Sequence, residues 1–506
     1  MTRNKKLYLN MTTAFISQVI VLICGFILPR YILGAFGSEV NGLVTSITRF
    51  LSVISFLELG VGPVIQSNLY KPLAEDDQKQ ISRILVSTKK FYRRIAYIFL
   101  IYIAFLFFAY PVFNTEFDYW FTASLLLIIS ISSFVQYYFG LTYQVFLTAD
   151  QKVYLGQATQ IITVILNTII CIVLIKLDCS IHIVKLFSAA IYVIRPFFLA
   201  LYVKKRYSID WKIKYDKEPI KQKWNGFAQH LAAVVCGEID VILLTFFADY
   251  QSVSIYSTYF LVINGMTTVV LTFVSGLEAY WGNMLAKGEQ ETLQKSFINV
   301  EMLIHFCVVF VFSCTSFLIE PFVKVYVNGI SDAATYSIPI FGIILSIAYA
   351  CRCLRLPYFQ IVSAAGRYKE TQIGAFISMG LNIIISVVLV IVLKNKLLGV
   401  AIGTVVAMLY HTIYFAWYLK KNILNRSFGH FVRHMLIDMG IFIAIYFATR
   451  FITLSEMSYI SWLLMALKVA GIAFVITFII NLIFYFSQIK SMLIKVILKL
   501  KNKKKT

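Results

Sequence analysis

The sequence predicts an all-α, polytopic transmembrane protein. Three observations lead there. Apolar residues make up 59% of the 506 and charged residues only 14%, with a mean hydropathy of +0.79, whereas soluble domains carry roughly 25% charged residues. Apolar runs of about twenty residues, the length a helix needs to cross ~30 Å of hydrocarbon, recur along the whole chain. Lys and Arg concentrate in every second connection between those runs.

About fourteen spans follow, at 10–34, 40–66, 95–113, 119–148, 156–176, 183–203, 226–247, 253–280, 299–319, 336–362, 371–393, 397–419, 435–452 and 460–486. MTRNKKLYLN precedes an apolar run too long for a signal sequence and without a small-residue cleavage site, so it reads as a retained first helix. Counting from a cytoplasmic N-terminus, the even-numbered connections hold the cations of 71–94, Lys152, 204–223, Lys287, Lys295, Arg367, Lys369 and 420–433, and the tail adds those of 490–505. The opposite connections hold Lys176, Lys185, Lys324, Lys394, Lys396 and Arg450. The positive-inside rule therefore places both termini in the cytoplasm of a multi-pass protein of the cytoplasmic membrane. It also accounts for the net charge of +22 without a nucleic-acid partner.

Two stretches beside the spans have a character of their own. Residues 76–94 read as a basic amphipathic helix with Ile81, Ile84 and Leu85 on its apolar face, feeding the third span. The tail 487–506 sets Ile489, Leu493, Val496 and Leu500 at helical spacing among lysines, which suits an anionic lipid surface. The longest even-numbered connection, KKRYSIDWKIKYDKEPIKQKW, carries Pro219 in a mixed charge run. It divides the chain into 1–203, a linker 204–225, 226–419, two further spans within 420–486, and the tail. The eight cysteines lie in or beside apolar runs, apart from Cys179 in a polar turn, with no CxxC and no Cys/His ligand spacing. They read as free thiols, and no metal site is expected.

RYILGAFGSEVNGLVTSITRF (30–50) can be laid over DVILLTFFADYQSVSIYSTYF (240–260), and NLYKPLA (68–74) over YWGNMLA (280–286). Each copy is a span, a short turn and another span. They begin the first and seventh spans, so the copies share one membrane orientation and predict two parallel lobes related by an axis along the membrane normal.

Ionisable side chains inside spans cost roughly 2.5–3.5 kcal/mol on insertion scales and normally face a polar interior. Arg49, Arg195, Arg352 and Arg355 are the deep arginines, with Arg30 nearer the end of its span. Arg352 and Arg355 lie one helical turn apart and can share a face. Arg195 precedes Pro196, where a snorkelling or kink-supporting role competes with a cavity role. Glu58, Glu238 and Asp240 are the deep carboxylates. At 100° per residue Glu58 falls opposite Arg49 unless Gly60, Gly62 and Pro63 bend the helix, and Glu238 and Asp240 diverge, with Asp240 the one expected to face a cavity. For Arg49 the competing reading is a structural pair with Glu58, Glu238 or Asp240. Gln229, His230 and His411 read as interhelical hydrogen-bonding groups.

The chain resembles the polysaccharide flippases of the multidrug/oligosaccharidyl-lipid/polysaccharide exporter superfamily, which serve capsule, exopolysaccharide and O-antigen synthesis. The resemblance rests on PRYILGAFGSEVNGL, FLELGVGPVIQSNLYKPLAEDD with the basic helix after it, QHLAAVVCGEIDVILL and YSTYFLV, and runs over essentially the whole chain. It implies two six-helix lobes in a V, two additional C-terminal helices, alternating access, and a polyprenyl-diphosphate-linked oligosaccharide as substrate. Membrane lipids, and polysaccharide polymerase and glycosyltransferases, are the implied partners. Arg30, Arg49, Arg195, Arg352 and Arg355 would then bind the diphosphate, for which a planar, permanently charged fork is suited. Glu58, Glu238 and Asp240 would serve coupling or gating. No cofactor is implied; a proton or sodium gradient or the membrane potential would supply the driving force.

Two other readings compete. A cation-coupled multidrug antiporter of the same superfamily would want an acidic, aromatic cavity, because its substrates are cations. The other is a membrane-embedded glycosyltransferase or polymerase; the former is suggested only by Glu238-Ile239-Asp240, which lies within a span, the latter would want longer outer loops, and the chain has no phosphate loop, GxSxG, HExxH or glycine-rich dinucleotide turn.

Overall fold

The computed structural model describes residues 3–58, 60–113, 116–213, 227–274, 276–330, 332, 334–424 and 426–503. Every regular element among them is helical. In order these are α1 (Arg3–Ser52), a 3-10 turn (Val53–Glu58), α2 (Val61–Glu75), α3 (Gln78–Phe113), α4 (Tyr119–Val135), a π turn (Gln136–Gly140), α5 (Leu141–Ala149), α6 (Val153–Lys176), α7 (Ile181–Arg206), α8 (Phe227–Phe247) and α9 (Tyr250–Val274). The second half holds α10 (Leu277–Ala286), α11 (Gln290–Tyr326), α12 (Pro339–Leu354), α13 (Leu356–Ala364), α14 (Gln372–Val392), α15 (Lys396–Asn422), α16 (Gly429–Thr449) and α17 (Tyr459–Lys503).

Among the described residues, thirteen helical stretches are long and apolar enough to cross a membrane. The first, Tyr8–Glu58, is 51 residues long, roughly twice what one crossing needs. It breaks at Gly37, whose φ of 78° lies in the left-handed region where a Cβ is costly. Counting that stretch as two gives the expected fourteen helices of a multi-pass membrane protein.

Several expected spans are shorter than their apolar runs, for local reasons. The second, expected over 40–66, passes into the 3-10 turn Val53–Glu58 and then a left-handed Gly60, and α2 starts afresh. Gly60, Gly62 and Pro63 supply the break that sequence anticipates. The eighth, expected over 253–280, ends at Val274, with left-handed Gly276 opening the short α10. The tenth, expected over 336–362, divides at Arg355, because Pro357 stands at the start of α13 and removes a helical donor. The basic amphipathic helix expected over 76–94 is the first half of α3 and continues into its span. The tail continues α17, which breaks at Tyr485.

The chain forms two compact units, 1–257 with 329–334, and 258–328 with 335–506. Of the linker expected at 204–225, residues 214–225 lie outside the described residues; the division falls inside α9. The reason is visible in unit 1, where α8 and the first turns of α9 are bonded to α1.

Unit 1 is built around Leu43, Ile47, Val61, Ile65, Leu85, Phe99, Leu125, Leu126 and Phe146, all fully buried. Its N-terminal helix is pinned by polar bonds: Lys6 pairs with Asp150, Asn10 donates to the Gln151 carbonyl at 2.9 Å, and Asn10 Oδ1 accepts from Tyr154 N–H at 2.9 Å. Unit 2 has one cluster around Trp281, Leu293, Phe297, Tyr358, Ile361 and Phe415, and another where α11 meets α16 and α17 through Met302, Ile437, Ile441, Ile445 and Ala473. All eight cysteines are free.

Candidate functional site

Beyond Gly37, α1 carries polar residues three and four apart, which puts them on one face. Each meets a partner on α8, α9 or the strap 329–334. Ser38 N–H donates to the Asp332 carboxylate, Asn41 Nδ2 donates to Ser254 Oγ at 2.7 Å, and Glu39 Oε1 accepts from Gln251 Nε2 at 3.2 Å. Gly42 lies so close to Tyr250 that a Cβ there would stand 1.8 Å from the Tyr250 carbonyl oxygen. One turn on, Ser46 Oγ shares a 2.5 Å hydrogen bond with Thr245 Oγ1. The face ends at Arg49, whose guanidinium lies 3.2 Å from Glu238 Oε2.

A chain of hydroxyls runs through the middle of this contact. Tyr250 OH donates to Tyr110 OH, Tyr110 OH donates to Ser46 Oγ at 2.7 Å, and Thr245 Oγ1 donates to the Val241 carbonyl at 2.8 Å. With Ser46 donating to Thr245, each of the four hydroxyls donates one bond. Four helices, α9, α3, α1 and α8, are thereby joined with none of these hydroxyls left unsatisfied.

At the corner end, carboxylates cap helix starts from other elements. Asp332 takes the Ser38 N–H where the second half of α1 begins, Asp249 takes the Ser252 N–H at the start of α9, and Glu116 takes the Tyr250 N–H at 3.4 Å. A carboxylate at a helix N-terminus is favoured by the unsatisfied N–H groups there. Burial nevertheless raises the Glu116 carboxyl above the usual range; the Tyr250 N–H opposes the shift, and the neighbouring Asp249 and Glu39 carboxylates add to it.

The structure places the sequence-predicted residues as follows. Arg49 and Glu238 come together, both half-buried. Asp240 is 2% exposed and accepts from Tyr256 OH at 2.8 Å, so of the two carboxylates on α8 it is Asp240 that turns inward and Glu238 that reaches Arg49. Glu58 ends the 3-10 turn and accepts from Tyr137 OH at 2.9 Å. Arg30 is half-buried in α1, seven residues before Gly37. Arg195 lies beside a small cavity of ≈40 Å³ that Lys152 also lines, and its Nε is buried without a hydrogen-bond partner.

Arg352 and Arg355, in unit 2, do not form the pair their spacing suggests. The backbone stays helical through Arg355, but their contacts differ: Arg352 lies over the Tyr349 ring, 5.7 Å from its centroid, while Arg355 donates to His411 Nδ1 on α15. His411 is thus an interhelical hydrogen-bonding group as expected, and so is His230, bonded to the Ser55 carbonyl at 3.1 Å. Among the described residues no group of His, Cys, Asp and Glu is arranged to hold a metal ion.

Sequence reasoning missed Asn41, Ser46, Thr245, Ser254, Glu116 and Asp332. The first four carry a legible signal, small polar residues at helical spacing in an apolar run. Glu116 and Asp332 carry none, because they sit in connections and act on elements far away in sequence. The repeat did identify where the contact lies: its alignment sets Gly37 over Phe247, and these are the points at which α1 breaks and α8 ends.

No family model and no curated protein matches the chain in sequence. Solved structures do match in fold. One is the MATE multidrug transporter DinF-BH, solved in a ligand complex, with a TM-score of 0.62, 14% identity, and coverage of 83% of this chain and 96% of that one. Another is the inward-facing conformation of a multidrug resistance MATE family transporter of the MOP superfamily, with a TM-score of 0.61, 13% identity, and coverage of 80% and 96%. An outward-facing conformation of such a transporter matches with a TM-score of 0.53, 12% identity, and coverage of 80% and 95%. The chain shares the fold of MATE family transporters of the MOP superfamily.

Proposed function

We propose that the protein is an alternating-access carrier that moves a polyprenyl-diphosphate-linked oligosaccharide across the cytoplasmic membrane for surface polysaccharide synthesis. The fold it shares with transporters solved inward- and outward-facing supports the alternating-access part. The observation that carries the substrate class is electrostatic. In unit 1 the deep carboxylates are already engaged, Glu58 by Tyr137, Glu238 by Arg49 and Asp240 by Tyr256, and Arg30 and Arg195 add further cations within apolar helices. Such a charge balance favours an anionic head group over a cation. Arg30, Arg49 and Arg195 in unit 1 would bind the diphosphate, and Arg352 and Arg355 are candidate contacts within unit 2, while the tail remains in lipid. With the positive-inside assignment, the α1–α8–α9 corner lies at the outer end and is the outer gate. Glu58, Glu238 and Asp240 would act in gating or coupling.

The second reading is a multidrug antiporter, favoured by the multidrug transporters among the neighbours, one of them solved in a ligand complex. Reconstitution into proteoliposomes separates the two. Protein-dependent appearance of a labelled lipid-diphosphate oligosaccharide in the opposite leaflet supports the flippase. Ion-driven uptake of a cationic fluorescent dye without oligosaccharide movement supports the antiporter instead.

A further inference from the structure

Unit 2 buries a cluster of ionisable side chains that the carrier reading leaves unused. Glu301, with no exposed surface, and His305, one turn further along α11, face His434 and Asp438, one turn apart on α16. The Arg426 guanidinium, from the connection between α15 and α16, pairs with Glu301 Oε2, which also lies 3.5 Å from His434 Nε2. The other Glu301 oxygen accepts from Tyr358 OH of α13 at 2.6 Å. Asp438 Oδ2 lies 2.6 Å from His305 Nδ1, and the two imidazole rings are 4.7 Å apart between centroids. From α17, Tyr485 OH bonds His434 Nδ1 at 2.7 Å; Arg433 of α16 lies over the Tyr485 ring and donates to the Phe484 carbonyl.

Charge counting and hydrogen-bond counting then point to one atom. Two carboxylates against one guanidinium leave one negative charge uncompensated while both imidazoles are neutral, and an uncompensated charge in a dry interior is costly. Both nitrogens of His434 are occupied, Nδ1 accepting the Tyr485 hydroxyl and Nε2 facing Glu301. His305 Nδ1 donates to Asp438, and its Nε2 is buried with no hydrogen-bond partner.

We propose that Glu301, His305, His434 and Asp438 form a buried proton-binding site that takes up one proton at His305 Nε2. The step is proton transfer alone: the proton adds to the Nε2 lone pair, no heavy-atom bond changes, and the cluster passes from one net negative charge to none. Protonation converts the His305–Asp438 hydrogen bond into an ion pair between α11 and α16. The cluster borders a cavity at each end. Glu301, Arg426 and Lys420 line a cavity of ≈20 Å³, room for about one water. Among the described residues, Asp438 is the only charged group lining a cavity of ≈550 Å³ between α11, α12, α15 and α16. Nothing in this inference depends on what the protein carries.

The test is NMR of ring-labelled histidine in the full-length protein in lipid nanodiscs, with the His305 and His434 signals assigned by His305→Gln and His434→Gln. At about pH 7.5, roughly one unit above the midpoint of free imidazole, His305 should show imidazolium shifts in the wild type and neutral shifts in Asp438→Asn. A neutral His305 in the wild type, or an imidazolium that persists in Asp438→Asn, overturns the proposal. The wild-type arm decides even if Asp438→Asn fails to fold. Asp438→Asn combined with His305→Gln retains an amide pair and should fold while losing the imidazolium signal; retention of that signal would assign it elsewhere and also overturn the proposal.

Discussion

Arg49 and Glu238 form a cation–carboxylate pair in which both side chains keep some exposure, 26% and 16%. The single 3.2 Å contact could be exchanged for the bidentate acceptors of the diphosphate in the proposed substrate. Arg49→Ala should therefore leave membrane abundance and thermal stability almost unchanged while lowering transport severalfold, and Arg49→Lys should recover only part, having lost the planar fork. Transport at the wild-type rate in the alanine variant would remove Arg49 from the substrate path. Glu116 makes the complementary case for pH. Its folded-state carboxyl lies above the ordinary Glu value of about 4.3 because of burial and the nearby Asp249 and Glu39. An acid raised in the folded state favours the folded contact at low pH, and that contribution is lost as pH rises from the ordinary value through the raised one. Hydrogen-exchange protection at Tyr250 and its neighbours should fall across that window in the wild type and stay level in Glu116→Gln. A protection profile identical in both would show that Glu116 does not govern the corner.

Among the elements, the helices were legible where physics acts locally and illegible where it acts at a distance. The Gly37 break, the Gly60 bend and the amphipathic start of α3 were readable because backbone freedom and apolar spacing belong to the residues themselves. The division of the tenth span at Arg355 was not, since an unbroken apolar run outweighs one proline in a hydropathy reading. The helical angle between Glu238 and Asp240 was read correctly, but which of them turns inward depends on Tyr256 and Arg49, contributed by other helices. The Glu301 cluster was missed for the same reason. Glu301 and His305, and His434 and Asp438, each stand four apart in apolar helices, a signal that gains meaning only when α11 and α16 are placed together. Because Glu301 has no exposed surface, removing its partner leaves a buried charge. Arg426→Ala should then cost about 3–5 kcal/mol, seen as a drop in thermal unfolding temperature in detergent, and combining it with Glu301→Gln should restore much of the loss. No drop in the single variant would mean that the pair is hydrated.

For the whole molecule, the contact joining α1, α8 and α9 unites two segments that the internal repeat relates. The hydroxyl chain, the capping carboxylates and the Arg49–Glu238 pair run alongside apolar packing of Gly42 on Tyr250 and of Phe50 on Phe246. Polar contacts of modest individual strength suit a joint that must close and reopen, because water can replace each partner when the joint parts. A carrier open to both sides would leak, so such a joint has to separate in every cycle. The Glu39–Gln251 hydrogen bond marks the position for the most direct test. Glu39→Cys with Gln251→Cys, oxidised to a disulfide in proteoliposomes, should abolish movement of the proposed substrate, a lipid-linked oligosaccharide, and reduction should restore it to the rate of the unoxidised variant. Undiminished transport with the disulfide shown to be complete would contradict the central claim that this corner is a gate.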